Sequence, residues 1–315
     1  MNHIGGYFEL ELRKVKEYHN NAIKLNTGRN AFEYILRTRE YKKVYLPYYT
    51  CDAMLEPIIK LKLDYEFYHI NEQLEPIFDF NYISKHETFV YTNYYGIKGQ
   101  FVKKLSNTCP QLIIDNSQAF FEKPHAGIDT FYSPRKFFGV PDGGYLYIDK
   151  YLQTEFTRDK SAMRFSHLIK RIEEDALSGY IDFKTSECTL KCQPIRLMSL
   201  ITQSLLCNID YEKIKDVRMR NFQFLHENLK VNNKLVLPEE NVFAPIGYPY
   251  LTNNGKKIKQ SLIQKGIFVA TYWPSVLEIT KNKDFEYYLT EKTICLPIDQ
   301  RYGIKEMKII LKLIK

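Results

Sequence analysis

The chain has 315 residues, of which 44% are hydrophobic and 26% charged. That balance excludes a disordered or fibrous chain, and the length allows a large core and two lobes. The net charge of +8 is scattered, without a dense Lys/Arg block or basic helix, so it reads as a solvated basic surface and no nucleic-acid partner is expected.

The opening stretch "MNHIGGYFELELRK" has acidic residues and glycines where a secretory leader needs an apolar core. No apolar run approaches the length of a membrane span, so no membrane partner is expected. Next, "TGRNAFEYILRTR" (Thr27 to Arg39) places Ala31, Tyr34 and Ile35 at helical spacing behind a Thr-Gly start. "KVYLP" reads as a strand and "CDAMLEPIIKLKL" as a helix, with Asp52 as cap candidate. "DYEFYHI" and "ETFVYTNYYG" are aromatic and β-branched, hence strands. "PQLIIDNSQAFF" holds a short apolar run that ends at Asp115, and "GGYLYID" is a further strand. From Lys150 to Lys170 the pattern turns helical, followed by two amphipathic helices, "PIRLMSLITQSLL" and "YEKIKDVRMRNFQFLHENL". Strands return in "VFAPIGYPYL", "IFVATYWP" and "KTICLPI", and "KEMKIILKLI" is a closing helix.

Such β-α-β alternation implies an α/β fold with a mainly parallel sheet covered by helices. The expected organisation is a large domain with a helical connector over 1–230 and a smaller α/β domain over 231–315. The Pro/Asn-rich patch from Asn232 to Asn241 is the hinge candidate. Six cysteines, at 51, 109, 188, 192, 207 and 295, form no C-x-x-C pair and have no His partner at zinc spacing. They read as reduced, mostly buried thiols of a cytoplasmic protein with no metal site.

Three features carry chemistry. Asp115 directly follows Leu112, Ile113 and Ile114, which places it at a strand's C-terminal end, where open parallel sheets bind ligands. A carboxylate there is partly desolvated and calls for a cationic partner. Lys136 lies between a Ser-Pro turn and the Gly143-Gly144 pair, just before the next strand. "NTGRNAF" brings a glycine turn into a helix start beside Arg29, and backbone N–H groups there suit a dianion. Singly, these are a turn-capping Asp, an exposed turn lysine and an ordinary helix start. In this order they suggest pyridoxal phosphate, whose ring nitrogen needs a carboxylate and whose aldehyde needs a lysine amine.

The same segments, with two more, resemble the DegT/DnrJ/StrS sugar aminotransferases, of pyridoxal-phosphate fold type I, over nearly the whole chain. "TGRNAFEYIL" is similar to the family's phosphate-binding Gly-x-x-Ala helix start, and "LPYYTCDAM" to its Pro-x-x-Thr-aromatic segment. "NYYG" is similar to its His-x-x-Gly turn, and "IIDNSQAF" to its Glu-Asp-Ala-Ala-Gln/His motif. "YSPRKFFGVPDGGYLY" is similar to its lysine segment with the Gly-Gly pair. The resemblance implies that Lys136 binds the cofactor's aldehyde and then moves the proton as base. It implies that Asp115 pairs with the pyridine nitrogen and Gln118 lies by the phenolic oxygen. Gly28, Arg29 and Asn30 would hold the phosphate, with Ser133 adding a hydroxyl. Two positions depart from the pattern. The family's serine five residues before the lysine is Phe131 here, with Ser133 nearer. Its stacking aromatic is replaced by Cys51, which leaves Tyr49 or Tyr95 to stack.

The implied activity is amination of a nucleotide-linked keto sugar with glutamate as donor, for a surface polysaccharide, by a homodimer. The segment Pro194 to Leu229 and the Gly143-Gly144 turn are the interface candidates. Arg29, Arg135 and Lys98, in or near the site segments, are the cations available to an anionic nucleotide. Two other readings stay open. Sugar dehydration on the same scaffold goes in the family with loss of the lysine, whereas Lys136 is present. A non-catalytic protein of this fold would not need Lys136 and Asp115. His69 and His125 are pocket candidates that read equally as surface or hydrogen-bonded residues. Trp273 lines the substrate entrance or packs the small domain, and "RIEEDALSGY" reads as a solvated face.

Overall fold

The computed structural model describes residues 4–13, 15–239 and 241–314. Positions 1–3 and 14 of the opening stretch, and Glu240 of the hinge candidate, lie outside the described residues. In chain order the first elements are β1 (Ile23–Leu25), α1 (Gly28–Arg39), β2 (Lys43–Pro47), α2 (Leu55–Lys60), β3 (Asp64–Ile70), β4 (Pro76–Ile77) and β5 (Glu87–Thr92). Then come α3 (Gly99–Leu105), β6 (Leu112–Asp115), β7 (Asp129–Tyr132), β8 (Gly144–Tyr147), α4 (Ser166–Glu173), α5 (Tyr180–Thr189), α6 (Leu200–Leu206) and α7 (Tyr211–Leu229). The C-terminal elements are β9 (Tyr248–Leu251), α8 (Gly255–Gln264), α9 (Val276–Ile279), α10 (Phe285–Lys292), β10 (Thr293–Leu296) and α11 (Ile304–Ile314).

The first eight strands form one sheet in the order β1-β8-β7-β6-β5-β2-β3-β4. Strands β3, β2, β5, β6 and β7 run parallel, while β8 is antiparallel to both β7 and β1. Side chains alternate between the sheet's faces with period two. Val44, Leu46, Val90, Ile113 and Phe131 point to one face and pack with Ala31, Phe32 and Ile35 of α1. Their neighbours Tyr45, Phe89, Tyr91, Leu112 and Ile114 pack in a second cluster with Phe222, Leu225, Ile294 and Ile310. Both faces are therefore covered, which is why these strands read as continuous apolar runs. Ile113 is fully enclosed, and truncating it to Ala costs about 2–5 kcal/mol.

The expected elements in the first half appear where the pattern put them. The Lys150 to Lys170 stretch differs: it is irregular until a short 3-10 turn at Ala162–Arg164, and α4 starts only at Ser166. The "PIRLM" stretch is extended instead of helical, because Leu197 hydrogen-bonds with Thr157 and Asp159 and leaves only α6 to form the helix. "IFVATYWP" contributes one isolated bridge, at Ala270 with Cys295, and β9 is confined to Tyr248–Leu251. Asp52 lies inside a 3-10 turn whose cap is Cys51.

Strands β9 and β10 pair antiparallel, flanked by the C-terminal helices. The division at 230/231 falls at the end of α7, yet Phe222, Leu225 and Leu229 of α7 share one cluster with Ile294 of β10 and Ile310 of α11. Packing is continuous across that point. The hinge candidate is pinned by Asn233, whose Nδ2 donates to Pro249 O at 2.8 Å and whose Oδ1 accepts from Leu251 N at 2.9 Å.

Candidate active site

Helix α1 begins behind Thr27, whose hydroxyl accepts the Asn30 amide hydrogen at 3.0 Å. The first turn carries no acidic residue, and Arg37 and Arg39 occupy the last, so the dipole's positive end is left uncompensated. This N-terminus meets the lysine turn: a Cβ on Gly28 would lie 3.6 Å from Ser133 Cβ. Gly144 brings the same corner together, since a Cβ there would come within 2.4 Å of the Thr27 carbonyl. The Gly-Gly pair thus admits close approach within its own chain, and Gly143 and Gly144 are buried, so they are not interface residues.

Asp115 ends β6 between Thr92 of β5 and Phe131 of β7. It is 6% exposed, and its Oδ1 accepts the Ser117 amide hydrogen at 2.8 Å. Burial pushes its carboxyl above the ordinary range. The Lys136 charge and hydrogen bonding by Ser117 oppose this without cancelling it. Lys136 sits in a 3-10 turn, Pro134–Lys136, that follows β7 directly. Parallel pairing of β6 with β7 therefore brings acid and lysine to the same sheet end. Lys136 is exposed, and the expectation of a lysine aimed inward by the Ser-Pro turn fails because it ends a 3-10 turn at the edge of the sheet.

Cys51 is half-buried beside them. Burial pushes its thiol up, and the Lys136 charge is the largest opposing influence. Gln118 is 1% exposed and accepts the Tyr95 amide hydrogen at 2.6 Å through Oε1. Its Nε2 is buried without a hydrogen-bond partner, a donor left for an acceptor oxygen. Gly96 fits close against Gln118: its φ is +75°, and a Cβ would lie 2.7 Å from the Gln118 carbonyl.

Other expected residues fall differently. Tyr49 and Tyr95 share a 2.6 Å hydroxyl contact and are 0% and 1% exposed. Their rings lie in the core, so neither offers a face for stacking. Asn30 directs its side chain to Gln193 O at 2.9 Å. Arg29 donates to Leu190 O at 2.7 Å and pairs with Glu56 at 3.2 Å. Lys98 pairs with Glu75 at 2.9 Å, and Arg135 pairs with Glu187. His69 pairs with Glu286 at 3.1 Å, and buried Trp273 packs edge-on to Tyr49 with centroids 5.2 Å apart. His125 lines a hollow of about 330 Å³ with Asp129 and Asp149, at the far end of β7 from Lys136.

The residues present fit pyridoxal phosphate. Asp115 suits a protonated ring nitrogen, the unpartnered Gln118 amide suits the phenolic oxygen, and the α1 N-terminus with Ser133 suits the phosphate. Thr92, whose buried hydroxyl lacks a hydrogen-bond partner and which pairs with Asp115 across the strands, was not singled out by sequence. Its only signal is its place at the end of β5.

No family model and no curated protein matches the chain. Solved structures do, at low identity. An aminotransferase of the DegT/DnrJ/EryC1/StrS group from Brucella abortus is 15% identical, with TM-score 0.63, over 93% of this chain and 84% of that one. Spr1654 of Streptococcus pneumoniae, solved in its PLP form, is 14% identical with TM-score 0.62 over 92% and 85%. DesI, solved in the presence of its TDP-sugar product, is 12% identical with TM-score 0.63 over 93% and 79%. The fold is that of the fold type I aminotransferases.

Proposed function

We propose, from this fold and site, that the chain is a pyridoxal-phosphate-dependent aminotransferase. The observation that carries the reading is the convergence of buried Asp115 with Lys136 at adjoining strand ends, over the N-terminus of α1. When bound, the cofactor supplies an electron sink for charge developing at the substrate's α-carbon. Asp115 would keep the ring nitrogen protonated, Gln118 would donate to the phenolic oxygen, and Ser133 with the α1 amides would hold the phosphate. Lys136 would supply the amine that holds the aldehyde and would serve as the base for the proton at the substrate's α-carbon.

The acceptor is a keto sugar on a nucleotide, glutamate is the donor, and the product serves a surface polysaccharide. The likeness to DesI and the net charge of +8 support an anionic sugar nucleotide. The protein acts as a homodimer in the cytoplasm. Among the described residues, no helix is long and apolar enough to cross a membrane, and all six cysteines are unpaired, though only Cys109 and Cys295 are buried, not most of them as expected. Support for the dimer comes from the segment carrying α4 and α5. Met163, Ile172, Leu177 and Ile181 there are 96%, 85%, 66% and 78% exposed, an apolar face that a second copy would cover.

The test has two steps. Protein incubated with pyridoxal phosphate is reduced with borohydride and peptide-mapped, and the label is expected on Lys136. Glutamate is then expected to bleach the visible band of the loaded protein, and a member of a keto-sugar nucleotide panel to restore it. A label elsewhere sinks the lysine assignment. Bleaching by glutamate without restoration by any sugar nucleotide sinks the acceptor and leaves aminotransfer standing.

A further inference from the structure

Arg218 of α7 is 1% exposed. Among the described residues no carboxylate forms an ion pair with it, and the nearby Asp299 is held by Arg301 at 2.7 Å. Burying an unpaired guanidinium is costly, and burial pushes its pKa down to about 10. Its contacts show what the charge is directed at. Nη1 donates to Pro245 O at 3.0 Å and to Ile246 O at 3.3 Å. Nε donates to Gln300 Oε1 at 3.1 Å. The guanidinium carbon lies 4.7 Å from the centroid of the Phe137 ring. Gln300 in turn donates through Nε2 to the Phe137 carbonyl at 2.8 Å.

Phe137 is the residue after Lys136, and its amide closes the lysine turn onto Pro134 O at 2.9 Å. Both its ring and its carbonyl are thus gripped from the C-terminal half of the chain. The Pro245–Ile246 loop reaches the other side of the site. Ile246 N bonds to Tyr95 O at 3.1 Å, and Pro245 Cα would lie 3.3 Å from a Cβ on Gly96. One arginine therefore ties together the two loops that flank Gln118 and Lys136.

We propose that Arg218 is a positioning residue for Lys136: stacked on Phe137, and acting with Gln300 on the Phe137 carbonyl, it fixes the turn that presents the lysine amine. The effect on cofactor capture rests on the reading of Lys136 given above, whereas the clamp itself does not.

The experiment uses the full chain. Lys136 is labelled with an amine-reactive ester without cofactor, and its rate is read by peptide mass mapping against other exposed lysines. In parallel, capture of pyridoxal phosphate at Lys136 is timed by borohydride trapping. Arg218→Gln is expected to shift the Lys136 labelling ratio and to slow capture about tenfold, the scale of losing a desolvated cation–π contact. Arg218→Lys recovers part of the capture rate, because an ammonium can still sit over the ring. Gln300→Leu removes only hydrogen bonds and shifts both readouts the same way by less. It replaces Arg218→Gln if that variant loses its cooperative thermal transition. Wild-type labelling and capture in folded Arg218→Gln, or in Gln300→Leu where that stands in, overturns the proposal. If the wild type captures no cofactor, the proposed function falls, and the labelling ratio alone decides the clamp.

Discussion

The ends of β6 and β7 and the segment from Ala162 to Thr189 are opposites. At the strand ends, polar groups are buried: Asp115, Asn116, Ser117 and Gln118 are at most 7% exposed. In the second segment, apolar groups are exposed, and neither α4 nor α5 buries an apolar side chain. A packed sheet tolerates buried polar groups only where backbone or ligand satisfies them. A helical pair tolerates bare apolar side chains only where water or a partner meets them. The first region has the character the proposed site requires and the second that of the proposed dimer face.

The largest effect that can break this contrast is at Lys136. Lys136→Ala is expected to abolish borohydride-trappable cofactor while leaving the circular dichroism spectrum unchanged, since the side chain is exposed. Residual trapping at another lysine would move the site away from the strand ends.

Asp115→Asn is expected to lower turnover by about 100-fold or more, the scale of removing one preorganised electrostatic partner. Its stability should move the other way. The Asp115 carboxyl is raised in the folded chain, so the stability it contributes is present below its unfolded pKa and lost as pH rises through the folded one. Asn escapes that loss. Denaturant midpoints should therefore favour the variant at neutral pH, with the gap closing as pH falls toward the carboxylate range. Near-full turnover, or a gap that widens in acid, would show that Asp115 is an ordinary structural acid.

His19 sharpens the contrast within the packed region. It is 2% exposed, its Nε2 donates to Phe120 O at 2.7 Å, its Nδ1 lies 3.1 Å from the Tyr147 hydroxyl, and burial lowers its pKa to about 4. The unfolded chain takes up a proton near pH 6.5 and the folded chain does not. Stability is therefore lost as pH falls from about 6.5 through about 4, by about 3 kcal/mol in full. Urea midpoints against pH should show this fall, and His19→Phe should flatten it.

The smallest expected effect is on the exposed helices. Ile172→Glu or Ile181→Glu should leave the monomer's thermal transition nearly unchanged but weaken self-association by roughly tenfold or more. Burying one such side chain is worth about 1.5–3 kcal/mol. Light scattering over a dilution series decides it, and unchanged association would direct the apolar face to another partner.

Much of the proposed strand-end site is legible in the sequence because its signals are local. Asp115 is named by the apolar run before it, Gly28 by its helix start, and Lys136 by its turn. Register then does the rest, because adjoining parallel strands bring their C-terminal ends to one edge. The extended stretch at Pro194–Met198 reads as helix in the sequence, because its residues alternate too briefly to betray a backbone bonded to Thr157 and Asp159. Tyr49 and Tyr95 stand as stacking candidates in the sequence because it gives neighbours along the chain and not burial.

By itself, then, the sequence determined which residues end the strands and start α1, since hydrophobic period and turn chemistry act within a few residues. Only the tertiary structure decided what grips them. Gln300 reaches Phe137 across 163 positions, and Arg218 reaches Gln300 across 82. Such contacts arise from the packing of α7 and the C-terminal loops against the sheet, and no local pattern encodes a neighbour that distant.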